Sequence, residues 1–128
     1  MPDVVSFALV GHCGPDSGSL RRAIESAVPH AELMPVNDDR ALADAMEAGA
    51  VLIVNRVLDG RFAFAHGLSI IKHATDAGVR SMLVSNFADA QQQAEAAGAL
   101  PGIGKASLGQ PVTAERLQAA ASSASVRT

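Results

Sequence analysis

The chain has no tryptophan, no tyrosine and only four phenylalanines in 128 residues. Its core must therefore be assembled from Ala, Val, Leu and Ile, a palette that suits parallel strands buried under alanine-rich helices. Cys13 is the single cysteine, which excludes an internal disulfide and fits a reducing compartment. No apolar run approaches membrane-spanning length, and Met1-Pro2-Asp3 lacks the basic start of a secretory signal. A cytoplasmic location with no membrane partner is expected. Lys and Arg are scattered along a chain of net charge −3. Phosphate contacts need clustered cations, so nucleic-acid binding is not expected.

What is present is enough for one domain spanning residues 1–128. Apolar residues make up 48% and charged residues 18%, which excludes a disordered chain. Strand-like and helix-like segments alternate throughout. Val4 to Val10 is an apolar strand, followed by a glycine-rich loop from Gly11 to Gly18. Leu20, Ala23, Ile24, Ala27 and Val28 then share one helical face. Ala31 to Val36 reads as a short edge strand. Asn37 is the expected cap of a second helix that turns Leu42, Ala45 and Met46 inward and ends at Gly49. Ala50 to Val54 is a continuous apolar strand.

The next connection, Asn55 to Gly67, exceeds the usual two to six residues of a βα loop, and long loops in compact domains are often functional. Leu68, Ile71, Ala74 and Ala77 mark a third helix ending at Gly78, and Val79 to Val84 a fourth strand. Asn86 or Asp89 is expected to cap a fourth helix through Gln91–Ala97, ending at Gly98. Leu100 to Ser107 is a fifth strand interrupted by Gly102 and Gly104. Thr113 is the expected cap of a last helix with Leu117, Ala120 and Ala121 inward, and the tail from Ser122 is expected to fray. Five βα units with right-handed crossovers make a flavodoxin-like α/β sandwich with a parallel sheet in the order 2-1-3-4-5. Ligands of such sheets bind at the switch point between strands one and three, where the loops carry His12, Cys13, Asn55 and Arg56.

Several segments resemble response-regulator receiver domains of the CheY-like type. Ser81-Met82-Leu83-Val84-Ser85-Asn86 is similar to their fourth strand, with Ser85 as the hydroxyl switch residue. Glu95-Ala96-Ala97-Gly98-Ala99 resembles the Ala-Gly-Ala signature after helix four, and Lys105 the strand-five lysine. Thr113-Ala114-Glu115-Arg116-Leu117 resembles the start of the last helix. Asn55 stands at the phospho-acceptor position. The resemblance implies the fold, two-component signal transduction and a sensor or output protein as partner. It also implies a dimer or partner surface formed by helix four, strand five and the last helix, where uncharged Ala90, Ala94 and Ala97 would permit close packing.

The departures from the receiver pattern concern chemistry. Receivers hold Mg²⁺ with acidic residues after strand one and with the acceptor aspartate; here the first places read His12-Cys13 or Gly11-His12, and the acceptor place reads Asn55. An amide forms no acyl phosphate, and Mg²⁺ prefers hard oxygen ligands. Ala106 replaces the proline after the lysine, and Gly102 falls near the aromatic switch. The resemblance thus implies a pseudo-receiver whose degenerate site is His12, Cys13, Asn55, Ser85 and Lys105. Ser85 and Lys105 would retain anion-binding character, or Lys105 would simply bond the Asn55 amide and nearby carbonyls.

Competing chemistry centres on His12 and Cys13. Imidazole and thiolate suit Zn²⁺ or copper, with His66 reaching in and Asn55 or Asp16 completing the site; otherwise His12 is hydrogen-bonded and Cys13 packed. A Cys13 nucleophile is the other option. The segment from Cys13 to Ser19 resembles the phosphocysteine loop of sugar-transport IIB proteins. However, Asp16 opposes a phosphate and the Cys-x₅-Arg spacing is absent. Gly11, Gly14 and Gly18 do not match G-x-G-x-x-G. Phe62 and Phe64 either cover the site or pack on helix three, and His30 and His73 are expected on the surface. The expected function is a stand-alone, unphosphorylated receiver-like interaction domain without a cofactor and more a binder than an enzyme. The alternative is a small metal-binding or Cys-dependent protein using His12, Cys13 and His66.

Overall fold

The computed structural model describes residues 5–126. Strand and helix alternate as β1 (Ser6–Val10), α1 (Gly14–Ala27), β2 (Glu32–Val36), α2 (Asp39–Glu47), β3 (Val51–Asn55), α3 (Gly67–Asp76), β4 (Ser81–Val84), α4 (Ala88–Ala96), β5 (Leu100–Ile103) and α5 (Pro111–Val126). A 3₁₀ turn at Lys105–Ser107 precedes α5. All strand pairs are parallel, in the order β2-β1-β3-β4-β5. The expected flavodoxin-like, CheY-like sandwich is therefore the observed fold.

Alternation along the strands divides the core in two. Ala8, Val10, Leu52, Val54 and Leu83 face α2, α3 and α4, meeting Leu42, Ala45, Ile70, Ile71, Ala74, Ala90 and Ala94. Phe7, Leu9, Val51, Ile53, Met82 and Val84 face α1 and α5, meeting Leu20, Ile24, Leu117 and Ala120. The central strand β3 is buried at all five positions, whereas β2 on the edge is mostly not. Ala90 and Ala94 thus lie against the sheet and are not available for the close helix contact expected of them. Alanine serves there by letting α4 approach the strands.

Several boundaries differ from expectation. Helix α1 starts at Gly14, so Pro15 to Gly18 are helical and not loop; a proline in the first turn forfeits no intrahelical bond. Asp38, not Asn37, caps α2, its Oδ1 accepting from the Ala41 N–H at 2.8 Å. Phe87 occupies the cap of α4 without a side-chain bond. Asn86 instead accepts from the Ala106 N–H at 2.9 Å. Helix α5 opens at Pro111, and Thr113 lies inside its first turn, its hydroxyl donating to the Ser107 carbonyl at 2.6 Å. Strand β5 stops at Ile103, and α5 continues to Val126, past the point where fraying was expected. Val4, expected at the start of the first strand, lies outside the described residues.

Because Ile53 is fully buried at the sheet centre, Ile53→Ala should lower stability by about 2–5 kcal/mol. Urea unfolding should show this as a lower midpoint with an unchanged slope. Exposed Gln92→Ala should stay within about 0.5 kcal/mol of the parent.

Candidate functional site

At the C-terminal edge of the sheet, β3 ends in Asn55, only 6% exposed. Its amide nitrogen donates to the Gly11 carbonyl at 3.0 Å and to the Val57 carbonyl at 2.8 Å. The loop after β3 is thereby tied to the loop after β1. The Asp59 N–H donates to the same Gly11 carbonyl, and the Gly11 N–H to Val36, each at 2.9 Å. Gly11 has φ +75°, and Leu58 lies so close that a Cβ at residue 11 would stand 2.8 Å from its Cδ2. Only glycine satisfies both demands.

The remainder of the loop crosses to β2. The Arg61 N–H donates to the Asn37 carbonyl at 2.8 Å, and the Asn37 amide donates to the Asp59 carbonyl at 3.1 Å. The Ala63 N–H donates to the Asp39 carboxylate at 3.0 Å. Gly60 has φ +128°, and a Cβ there would collide with the Asn37 carbonyl. Leu58, Phe62 and Phe64 pack on the core cluster facing α2 and α3. The Phe64 ring also meets the exposed His73 ring at 5.2 Å. The long loop therefore spreads across the ends of β1 and β2, over the switch point.

His12 does not join this surface. Its Nε2 lies 2.8 Å from the Ile53 carbonyl and must carry a proton to donate. Burial pushes the imidazole below its ordinary pKa, against the opposing pull of that bond, and Lys105 adds to the depression. Cys13 is half-buried at the start of α1. The neighbouring Cys13 thiol and the Lys105 ammonium hold the Asp16 carboxyl below the usual carboxylate range. Lys105 Nζ is 3.2 Å from Asp16 Oδ2, in an ion pair open to solvent. Lys105 thus bonds neither Asn55 nor nearby carbonyls. β5 ends two residues earlier, and the 3₁₀ turn carries the lysine toward α1.

The metal set is not assembled. Among the described residues no three His, Cys, Asp or Glu side chains gather as ligands. His12 is held by the Ile53 carbonyl, Cys13 is half-buried ahead of α1, and His66 is exposed at the start of α3. The site does not fit the Mg²⁺ of a receiver either. The Asn55 amide presents its N–H groups to two carbonyls, Leu58 covers Gly11, and Asp16 is paired with Lys105.

Asn55, Ser85 and Lys105 do come together, lining a cavity of about 110 Å³ with Arg56, Val57 and Phe87. The Ser85 hydroxyl accepts from the Phe87 N–H at 3.1 Å. Asn55 Oδ1 is buried without a donor. Leu58, Gln91 and the pairing of Arg56 with Phe87 escaped the sequence reading. Leu58, a large apolar residue just after the third strand, was a usable signal. Gln91 donates its amide to the Leu83 and Ser85 carbonyls at 3.0 and 3.1 Å. The Arg56 guanidinium lies 4.9 Å over the Phe87 ring, a pairing of residues far apart in sequence that no local pattern marks.

Solved structures of similar fold include receiver domains. The receiver domain of a DNA-binding response regulator from Colwellia psychrerythraea 34H has a TM-score of 0.67 at 16% identity, covering 92% of this chain and 98% of its own. The receiver domain of NtrX from Brucella abortus has a TM-score of 0.65 at 16% identity, covering 96% and 99%. The chemotaxis response regulator CheY4 of Vibrio cholerae has a TM-score of 0.60 at 18% identity, covering 95% and 99%. The fold is that of a response-regulator receiver domain. No protein-family profile and no curated protein matches the sequence. In receiver terms, Asn55 stands at the end of β3, Ser85 just beyond β4 and Lys105 two residues beyond β5.

Asn55→Asp should destabilise the chain at neutral pH by about 1–3 kcal/mol, because it removes two donors and sets a carboxylate against carbonyl oxygens. The new carboxyl would titrate higher folded than unfolded. The penalty is therefore full above the folded value and shrinks as pH falls toward the unfolded one; urea unfolding across that range checks it.

His12 has the opposite sense. Its folded pKa is lowered from 6.5, so its contribution is complete above that value and is lost as pH falls through the folded pKa. Stability measured from about pH 7.5 to about pH 5 should decline, and His12→Gln should flatten that part of the slope.

Proposed function

We propose that the chain is a receiver-fold signalling module that works through protein–protein contact and not through aspartyl phosphorylation. The observation that supports this most directly is the Asn55 clamp. At the acceptor position stands an amide used as a double donor, and the loop it organises lays Leu58 over Gly11. Neither the nucleophile nor a divalent-cation pocket is available. The surrounding scaffold still positions Ser85 and Lys105 at strand ends, so the inheritance is the framework and not the reaction.

The partner on this reading is a sensor or output protein. Related folds occur in a DNA-binding response regulator and in a diguanylate cyclase. A second copy would meet the chain through α4, β5 and α5. There Arg116 donates to the Gly102 carbonyl at 2.6 Å, covering part of the β5 edge. Such contact would use side chains of the two helices, among them exposed Gln92 and Glu95, and not strand addition.

Incubation with acetyl phosphate and Mg²⁺, followed by intact-mass and peptide mapping, tests the reading. The expected result is an unmodified chain, and Asn55→Asp should remain unmodified as well because Leu58 and the missing carboxylates still exclude the cation. Stoichiometric labelling of the parent at Asp59 or at another carboxylate of this edge would refute it.

A further inference from the structure

We propose that the groove between the N-terminal ends of α3 and α4 docks an acidic segment of a partner protein that carries a large apolar anchor. This deepens the preceding reading and rests on its claim that the chain acts through a protein partner, not on the chemistry at Asn55.

Three large hydrophobic residues are exposed among the described residues, and two of them flank this groove. Val57 is 62% exposed and Phe87 61%. They line a cavity of about 580 Å³ together with Arg56, His66, Leu68 and Ala90. The hollow continues along both helices into a second one of about 450 Å³, reached by Lys72 and Ala96. Large apolar side chains left in water beside a concavity mark a contact surface more than a solvated one.

Charge selects the occupant. Arg56 and Lys72 are cations on the walls and Asp89 is the one carboxylate there. The groove is thus locally positive on a chain of net charge −3. Arg56 has no carboxylate partner among the described residues; its guanidinium rests on the Phe87 ring at 4.9 Å, leaving its hydrogen-bond donors facing outward. Both flanking helices also start without a side-chain cap, α3 at His66 and α4 at Phe87. The α3 end, with no acidic residue in its first turn, adds partial positive charge at the rim, whereas Asp89 in the first turn of α4 offsets that of α4. An apolar side chain over Phe87 and Val57 with carboxylates toward Arg56 and the α3 end matches every feature. Two separated cations are too few for a nucleic-acid backbone.

Selection of phage-displayed random peptides on the full chain is the test, followed by anisotropy titration of a fluorescein-labelled copy of the enriched peptide. Enriched sequences should combine Asp or Glu with Leu, Phe or Trp. Binding should weaken at least about tenfold on Arg56→Glu or Phe87→Ala, both at exposed positions, and weaken with salt. Amide shift changes should centre on Val57, Ala65 and Phe87.

The proposal fails if no acidic peptide is enriched or if both variants bind like the parent. It fails equally if the shifts map to α4, β5 and α5, or if phosphatidylglycerol vesicles bind with the same variant dependence. Failure here with the chain still refractory to acetyl phosphate removes the groove and leaves the unphosphorylated module. Labelling of Asp59 with peptide binding intact does the reverse.

Discussion

The Asn55 side-chain amide is the constraint on which the functional edge depends. In a parallel sheet, the backbone groups at the strand ends run out into loops and need partners there. One buried amide supplies a donor to Gly11 and another to Val57. The loop after β3 is then held against the loop after β1. Such bonds contribute on the order of 1 kcal/mol each when made and cost more when a buried partner is left unpaired. A carboxylate at the same place could accept but not donate. The two bonds that tie these loops together therefore require an amide at this position.

The same logic runs through the neighbouring residues. His12 serves as a neutral donor to Ile53 inside the core, and Lys105 pairs with Asp16. The imidazole and ammonium nearest the crevice thus already have internal partners, while His66 stands exposed outside it. Asn55 Oδ1 is the exception, a buried acceptor with no donor. The unfilled chemistry lies farther out, at Arg56 and Phe87, where a cation and an aromatic ring face solvent together.

The β4–β5 side shows a parallel substitution. A Cβ at Gly102 would collide with the Gln91 side chain and the Leu83 carbonyl. Gln91 reaches from α4 to bond the ends of β4 and comes within 3.3 Å of the Ile103 carbonyl. Where the receiver pattern has an aromatic side chain on the fifth strand, this chain has empty volume filled from the helix. Ser85 bonds the start of α4 through Phe87, so helix, strand end and hydroxyl form one hydrogen-bonded unit.

The order of elements, the sheet topology and most residues facing the core were readable from the chain, because burial on both faces of a parallel sheet demands continuous apolar strands and helical periodicity between them. On α3, however, Ile70 is buried and Ala77 is an exposed C-cap, contrary to expectation. The loss of acidic residues at His12, Cys13 and Asn55 was equally plain. Caps and boundaries at Asp38, Phe87, Pro111 and Lys105 were not, since several polar residues stand near each helix start and only the packed geometry selects which one bonds. The convergence of Leu58 on Gly11, of Lys105 on Asp16 and of Arg56 on Phe87 was decided by tertiary structure alone. Local pattern governs which face of an element is buried; which side chains meet across loops depends on where separate crossovers bring the strand ends.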